Sequence, residues 1–264
     1  HMKATGRLPV NVVVLAEGGE EVGSENLMPF VEEHAKRLAA DAIVISDSTM
    51  FAPGMPSIGA SLRGLAYFEI HVEGPAGDLH SGSYGGAVIN PATALSRIIA
   101  SFHDENWHVA IPGFYDDVHA APEFREQIGE LPFDDAAFRD ETGAPALGGE
   151  AGYGTLERLW VRPTLEVNGL LSGYTGEGPK TVLPAKAMAK VSCRLVPDQH
   201  PKKIYELFEA HVRRVAPEGV RVTVRELHGG EAWRARLEGP LYEAAARALE
   251  KAFGRKPVFA GEGG

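Results

Sequence analysis

An apolar run, Val12 to Ala16, stops at Gly18 and Gly19 and then delivers Glu20 and Glu21 side by side. A short apolar run bounded by glycine reads as a strand buried on both faces, the kind found in parallel sheets. In open α/β sheets, ligands collect beyond the carboxyl ends of such strands, which is where the acid pair falls. Taken alone, the pair has an ordinary explanation. Acids favour the positive end of a helix dipole, and Ser24 could cap a following helix. The next stretch adds a second explanation. Leu27, Phe30, Val31, Ala35 and Leu38 recur at helical spacing, and Asp41 to Ser46 then gives a second buried apolar strand that ends on Asp47. A right-handed crossover makes the two strands parallel, so Glu20, Glu21 and Asp47 are expected at one rim of the sheet. Three carboxylates at one rim repel each other unless a cation sits between them, and a divalent metal site meets that need.

The bulk properties exclude several other classes. Among 264 residues there are 26 Lys and Arg against 36 Asp and Glu, a formal net charge of -10, and no basic stripe. This argues against nucleic acid as a partner. No run approaches transmembrane length or signal-peptide architecture, and the single cysteine, Cys193, excludes an internal disulfide. A cytoplasmic location with no membrane partner is the expectation. No phosphate-binding glycine motif follows the first strand, which disfavours nucleotide binding.

Residues 1–62 read as the first block, with the proline- and glycine-rich stretch from Phe51 to Gly64 expected to lack regular structure. His34, on the apolar stripe of the first helix, reads as structural. From Leu65 the pattern alternates: Tyr67, Glu69 and His71 on one face, Phe68, Ile70 and Val72 on the other. A helix capped by Asn90 follows, with Leu95, Ile98, Ile99 and Phe102 inward. Residues 104–160 carry short helical pieces around Phe124, Phe133, Phe138 and Leu156. Two strands, Thr164 to Gly169 and Lys186 to Val196, precede a helix from Pro201 and a last strand, Val220 to Leu227. The order strand, helix, strand, strand, helix, strand predicts a ferredoxin-like α+β sandwich over 63–228. Residues 229–264, with a helix bearing Leu241, Ala245, Ala248 and Leu249 inward, are expected to return to the first domain. The fold class is therefore an incomplete α/β portion with a parallel-strand sheet, plus an inserted α+β domain.

Four motifs occur in order: EGGEEVGSENL with VISD after it, DLHSGSYGG from Asp78, GPKTVLPAKAMAKVSCRLVP from Gly178, and the terminal AGEGG. Together they resemble the M20 metallopeptidases, and within them the carnosinase-like dipeptidase branch. The resemblance implies a dinuclear zinc peptidase, with cobalt or manganese as substitutes, that hydrolyses dipeptides or short peptides through a metal-bridged water. It implies Glu20 as general base, Glu21 and Asp47 as metal ligands, and His80 as a residue that crosses a dimer interface to steady the oxyanion. Thr181 and Arg194 match substrate contacts and Glu262 matches a residue that binds the substrate amine. The inserted domain matches a lid that also makes a homodimer contact. Residue by residue, a guanidinium suits a substrate carboxylate, and Arg194 alternates with Cys193 on one strand, so the two point to opposite faces.

The family pattern also requires an HxD motif with a bridging aspartate upstream of this segment and a ligand histidine downstream. None of the ten histidines stands in an HxD. The expectation is a fragment, with His1-Met2 as a tag-removal scar, that holds zinc weakly, is inactive by itself, and rearranges its unpaired sheet edges. Two alternatives stay open for the whole protein: an M20-type N-acyl amino acid deacylase or carboxypeptidase, and a non-catalytic dimerisation module.

Overall fold

The computed structural model describes residues 2–19, 24, 26–45, 49–119 and 122–263. The chain divides into two units, His1–Asp47 and Ser48–Gly264.

In the first unit, α1 (Met2–Thr5), α2 (Leu27–Glu33) and α3 (Ala35–Leu38) are the regular elements among the described residues. Among the described residues the expected buried strands do not form. Residues 10–16 and 42–45 have no ladder partner, and Val14 and Val44 are 82 % and 84 % exposed. A strand buried on both faces needs neighbours for its hydrogen bonds and cover for its side chains. Neither is supplied to these segments among the described residues. The single helix expected from Leu27 to Leu38 is broken at His34, whose ring packs edge-on against Phe30 at 4.4 Å. Ser24 does not cap it: the cap position belongs to Asn26, which makes no side-chain capping bond.

The second unit opens with β1 (Ser57–Leu62) and β2 (Gly64–Glu73). β1 corrects the expectation of irregular structure from Phe51 to Gly64. The prolines lie before it, and the alternating Ser57-Ile58-Gly59-Ala60-Ser61-Leu62 stretch is free to pair. β2 shows strict alternation, with Ala66, Phe68, Ile70 and Val72 buried. β3 (Leu79–His80) leads into α4 (Ser81–Tyr84), and α5 (Pro91–Ala100) starts where Asn90 Oδ1 accepts from the Ala92 N–H at 2.8 Å. Three short helices follow: α6 (Pro122–Gly129), α7 (Asp135–Thr142) and α8 (Thr155–Trp160). Next come β4 (Thr164–Ser172), β5 (Val182–Leu183), β6 (Lys186–Leu195), α9 (Pro201–Val215), β7 (Arg221–Gly230), β8 (Trp233–Arg234), α10 (Pro240–Phe253) and β9 (Val258–Glu262).

These strands form three sheets. One is four-stranded and wholly antiparallel, in the order β4-β6-β2-β7. Its elements run strand, helix, strand, strand, helix, strand, as the periodicity predicted. α5 and α9 cover one face and build the main core around Phe68, Phe102, Phe208, Ile204 and Cys193. The second sheet has the order β8-β1-β9, with β1 and β9 parallel. A smaller core of Ala60, Phe124, Ile128, Leu156 and Trp160 lies against it, so α6 and α8 of the 104–160 stretch pack on this sheet. The third sheet is the two-residue pair β3-β5.

α10 departs from expectation. None of its residues is buried and Leu241 is 54 % exposed; it meets β9 instead through Tyr242, whose ring lies tilted against Phe259 with centroids 5.0 Å apart. Of the expected inward face, Leu241, Ala245 and Ala248 are exposed and Leu249 is half-buried, because little of the stripe finds cover among the described residues.

Candidate active-site residues

Two groups of the residues singled out by sequence are brought into position, and a third lies outside the described residues. Glu20, Glu21 and Asp47 belong to that third group. Among the described residues no group of three or more His, Cys, Asp or Glu could hold a metal ion.

The first group is His80 with Thr181. These residues are 101 positions apart, yet β3 and β5 pair Leu79 with Leu183 and His80 with Val182. The corner is laced by further bonds. Asp78 Oδ1 accepts from the Ala185 N–H at 2.8 Å, and the Ser81 N–H donates to Thr181 O at 3.0 Å. The His80 ring caps the short α4 by accepting at Nδ1 from the Gly82 N–H, 3.1 Å away. That bond assigns the tautomer: Nδ1 is the acceptor, so in the neutral ring the proton sits on Nε2. Nε2 lies 3.0 Å from Thr181 Oγ1 and donates to it. Both side chains are exposed, so the hydrogen-bonded His80–Thr181 pair faces outward.

The second group, Arg194 and Glu262, is divided between two sheets, the first residue on β6 and the second on β9. Cys193 packs at 0 % exposure beneath the helices, where burial pushes its thiol pKa up, and Arg194 lies on the opposite face of β6. Glu262 is the last residue of β9, opposite Leu62 in the parallel register. The approach to it is crowded. A Cβ at Gly261 would stand 2.6 Å from the Trp160 Cβ, so only glycine fits between β9 and α8.

Arg63 joins this second group and was missed in the sequence, where it stood inside a stretch read as irregular. Its backbone N–H donates to Glu262 O at 3.1 Å and its Nε to Gly263 O at 3.3 Å. Nη1 donates to Arg158 O at 3.1 Å and Arg162 O at 3.2 Å, at the carbonyl-rich end of α8. Burial lowers the Arg63 pKa to about 10; the like charge of Arg194 adds to this, and Glu166 opposes it. The legible signal was a cation between an apolar β-like stretch and the start of the alternating strand.

The fold and the sequence match those of known proteins. The peptidase dimerisation domain of the M20 peptidases matches residues 60–220. The chain belongs to the M20 peptidase family. It is 33 % identical over 266 residues to a Cys-Gly metallodipeptidase of Schizosaccharomyces pombe, covering 97 % of this chain and 55 % of that protein. The solved structure of the di-peptidase Dug1p from Saccharomyces cerevisiae superposes with a TM-score of 0.82 at 29 % identity, over 100 % of this chain and 56 % of that one. An M20 family metallo-carboxypeptidase, Sso-CP2 from Sulfolobus solfataricus, gives 0.79 at 32 % identity, over 93 % and 56 % respectively. The chain spans about half the length of the curated relatives it matches. No helix among the described residues is long and apolar enough to cross a membrane.

Proposed function

We propose that this chain belongs to a metal-dependent dipeptidase and carries its lid, one part of its metal site and most of its substrate contacts. The observation that carries the reading is the His80–Thr181 pair, held at 3.0 Å by two loops that the sequence alone had matched separately to the family. In this reading Glu21 and Asp47 hold two zinc ions together with further ligands, with cobalt or manganese as substitutes; their carboxylates are hard oxygen donors suited to such ions. The metals, when bound, lower the pKa of a water and polarise the scissile carbonyl.

The chain's own groups do the rest. Glu20 takes the proton of the attacking water and returns it to the leaving amine. The Nε2–H of His80, with its tautomer fixed by Gly82, turns from Thr181 to the oxyanion, and the Thr181 hydroxyl remains as a second polar contact. Arg194 pairs with the substrate carboxylate and Glu262 with its free amine. The lid forms a homodimer, so that His80 serves the partner's site. The edge strand β4 has the surface for such a contact, with Leu170 and Leu171 61 % and 59 % exposed.

The test is hydrolysis of a panel of dipeptides beside N-acetyl and N-succinyl amino acids by the full-length protein that carries this chain, with and without a chelator. Chelator-sensitive turnover of dipeptides supports the reading. Turnover of the acylated substrates alone favours the second reading, a deacylase or carboxypeptidase, which the likeness to the Sulfolobus enzyme supports. The absence of any turnover beside a stable dimer in sedimentation favours a non-catalytic dimerisation module.

A further inference from the structure

One residue ties together three parts of the fold that are far apart in sequence. Arg63 stands between β1 and β2, where the chain leaves the three-stranded sheet for the four-stranded one. Its donors take the carbonyls of Arg158 and Arg162 at the end of α8 and of Gly263 beyond β9. Its own N–H takes the carbonyl of Glu262. The two peptide carbonyls that follow the Glu262 and Gly263 Cα atoms are thus held by one residue, one through its main chain and one through its guanidinium. A Cβ at Gly263 would stand 3.0 Å from Arg63 Nη2, so the guanidinium lies directly against the chain there. On the other side, Gly261 is wedged on Trp160. Glu262 therefore projects from a backbone fixed before and behind it.

We infer that Arg63 is a positioning residue that holds Glu262 in place, and through it the preference for a peptide with a free amine. This rests on the reading above, in which Glu262 takes the amine of the substrate. A carboxylate can meet that amine in one fixed direction only if the backbone that carries it is held, and three carbonyl bonds plus one main-chain bond hold the β9 end in place. Arginine suits the position because its planar, forked donors reach several acceptors in fixed directions, which the single ammonium of lysine does not.

The experiment compares Arg63→Gln, Arg63→Lys and Glu262→Gln in the peptidase that carries this chain, with kcat and KM for a free dipeptide and for its N-acetylated form, and with amide exchange over residues 259–263. Arg63→Gln is expected to raise KM for the free dipeptide about tenfold, the scale of losing a hydrogen bond from a charged group, and to leave kcat within about twofold. KM for the acetylated form should change no more than about twofold, and the 259–263 amides should exchange faster. Arg63→Lys should fall between the wild type and Arg63→Gln, and it keeps the test alive if Arg63→Gln does not fold. Equal losses on both substrates, a fall in kcat at constant KM, or unchanged exchange at 259–263 would each overturn the inference. If Glu262→Gln leaves the free-dipeptide KM unchanged, it is the assignment of the amine contact that falls. If Glu262→Gln raises that KM and Arg63→Gln does not, the clamp is what falls.

Discussion

Ile70 and Val191 on the four-stranded sheet are fully buried, while Val14 and Val44, in runs just as apolar, are more than four-fifths exposed. The difference does not lie in the residues. β2 and β6 each have neighbours on both sides and helices over one face. The segments at 10–16 and 42–45 have neither among the described residues. An apolar run states what a segment requires to become a strand, and the rest of the fold decides whether the requirement is met.

The contrast can be broken most sharply in the core. Phe208→Ala, which empties the contact between Phe68 and Phe102, should cost about 3–5 kcal/mol in urea unfolding, whereas Val44→Ala should change stability by less than about 0.5 kcal/mol. Comparable losses at the two positions would mean that the exposed segment is covered in solution. At the β3-β5 corner the same contrast separates stability from chemistry. His80→Ala should lower kcat roughly 10²- to 10³-fold, as expected for a lost oxyanion donor, with little change in the unfolding midpoint because the side chain is exposed. A large shift in that midpoint would mark the corner as part of the scaffold.

Smaller effects sharpen the comparison further. Gly261→Ala forces a methyl group against Trp160 in the lesser core and should cost about 1–3 kcal/mol, the usual range for overpacking. A neutral result would show that α8 can yield where the main core cannot. The smallest effect concerns His211, which is 4 % exposed in the main core. Its Nδ1 accepts from Arg214 at 2.9 Å, and its Nε2 donates to Ser101 Oγ at 2.9 Å, which in turn donates to Ile98 O. Burial first, and then the Arg214 charge, lower its pKa from the ordinary 6.5. The unfolded chain therefore binds the proton more readily, and the fold should lose stability as pH falls through about 6.5. Unfolding midpoints at pH 7.5 and 5.5 should show this loss in the wild type and a smaller one in His211→Gln.

Much of this arrangement was legible in advance, because local rules decide it. The alternation of Tyr67, Glu69 and His71 with Phe68, Ile70 and Val72 fixes the two faces of β2, and Asn90-Pro91 starts α5 where a capping residue and a first-turn proline must. The placement of Cys193 inward and Arg194 outward follows from the pleat alone. The β3-β5 pairing was not legible, since two-residue strands leave no periodic trace; the loops were noticed only through their likeness to a family. Arg63 was hidden because its partners are main-chain carbonyls, which any residue offers and no pattern of side chains reveals. The expected helix face of α10 failed for the same reason as the expected strands near Val14 and Val44: periodicity names a face and says nothing of what lies against it.

One crossing has a mechanical meaning. The chain leaves the three-stranded sheet through Gly64 and comes back through residues 231–232, and the two passages touch: a Cβ on Gly64 would lie 2.6 Å from both Gly230 O and Ala232 N. A side chain at Gly64 would therefore force the outgoing and returning strands apart where they cross, so the tightness of this junction depends on the absence of a single methyl group.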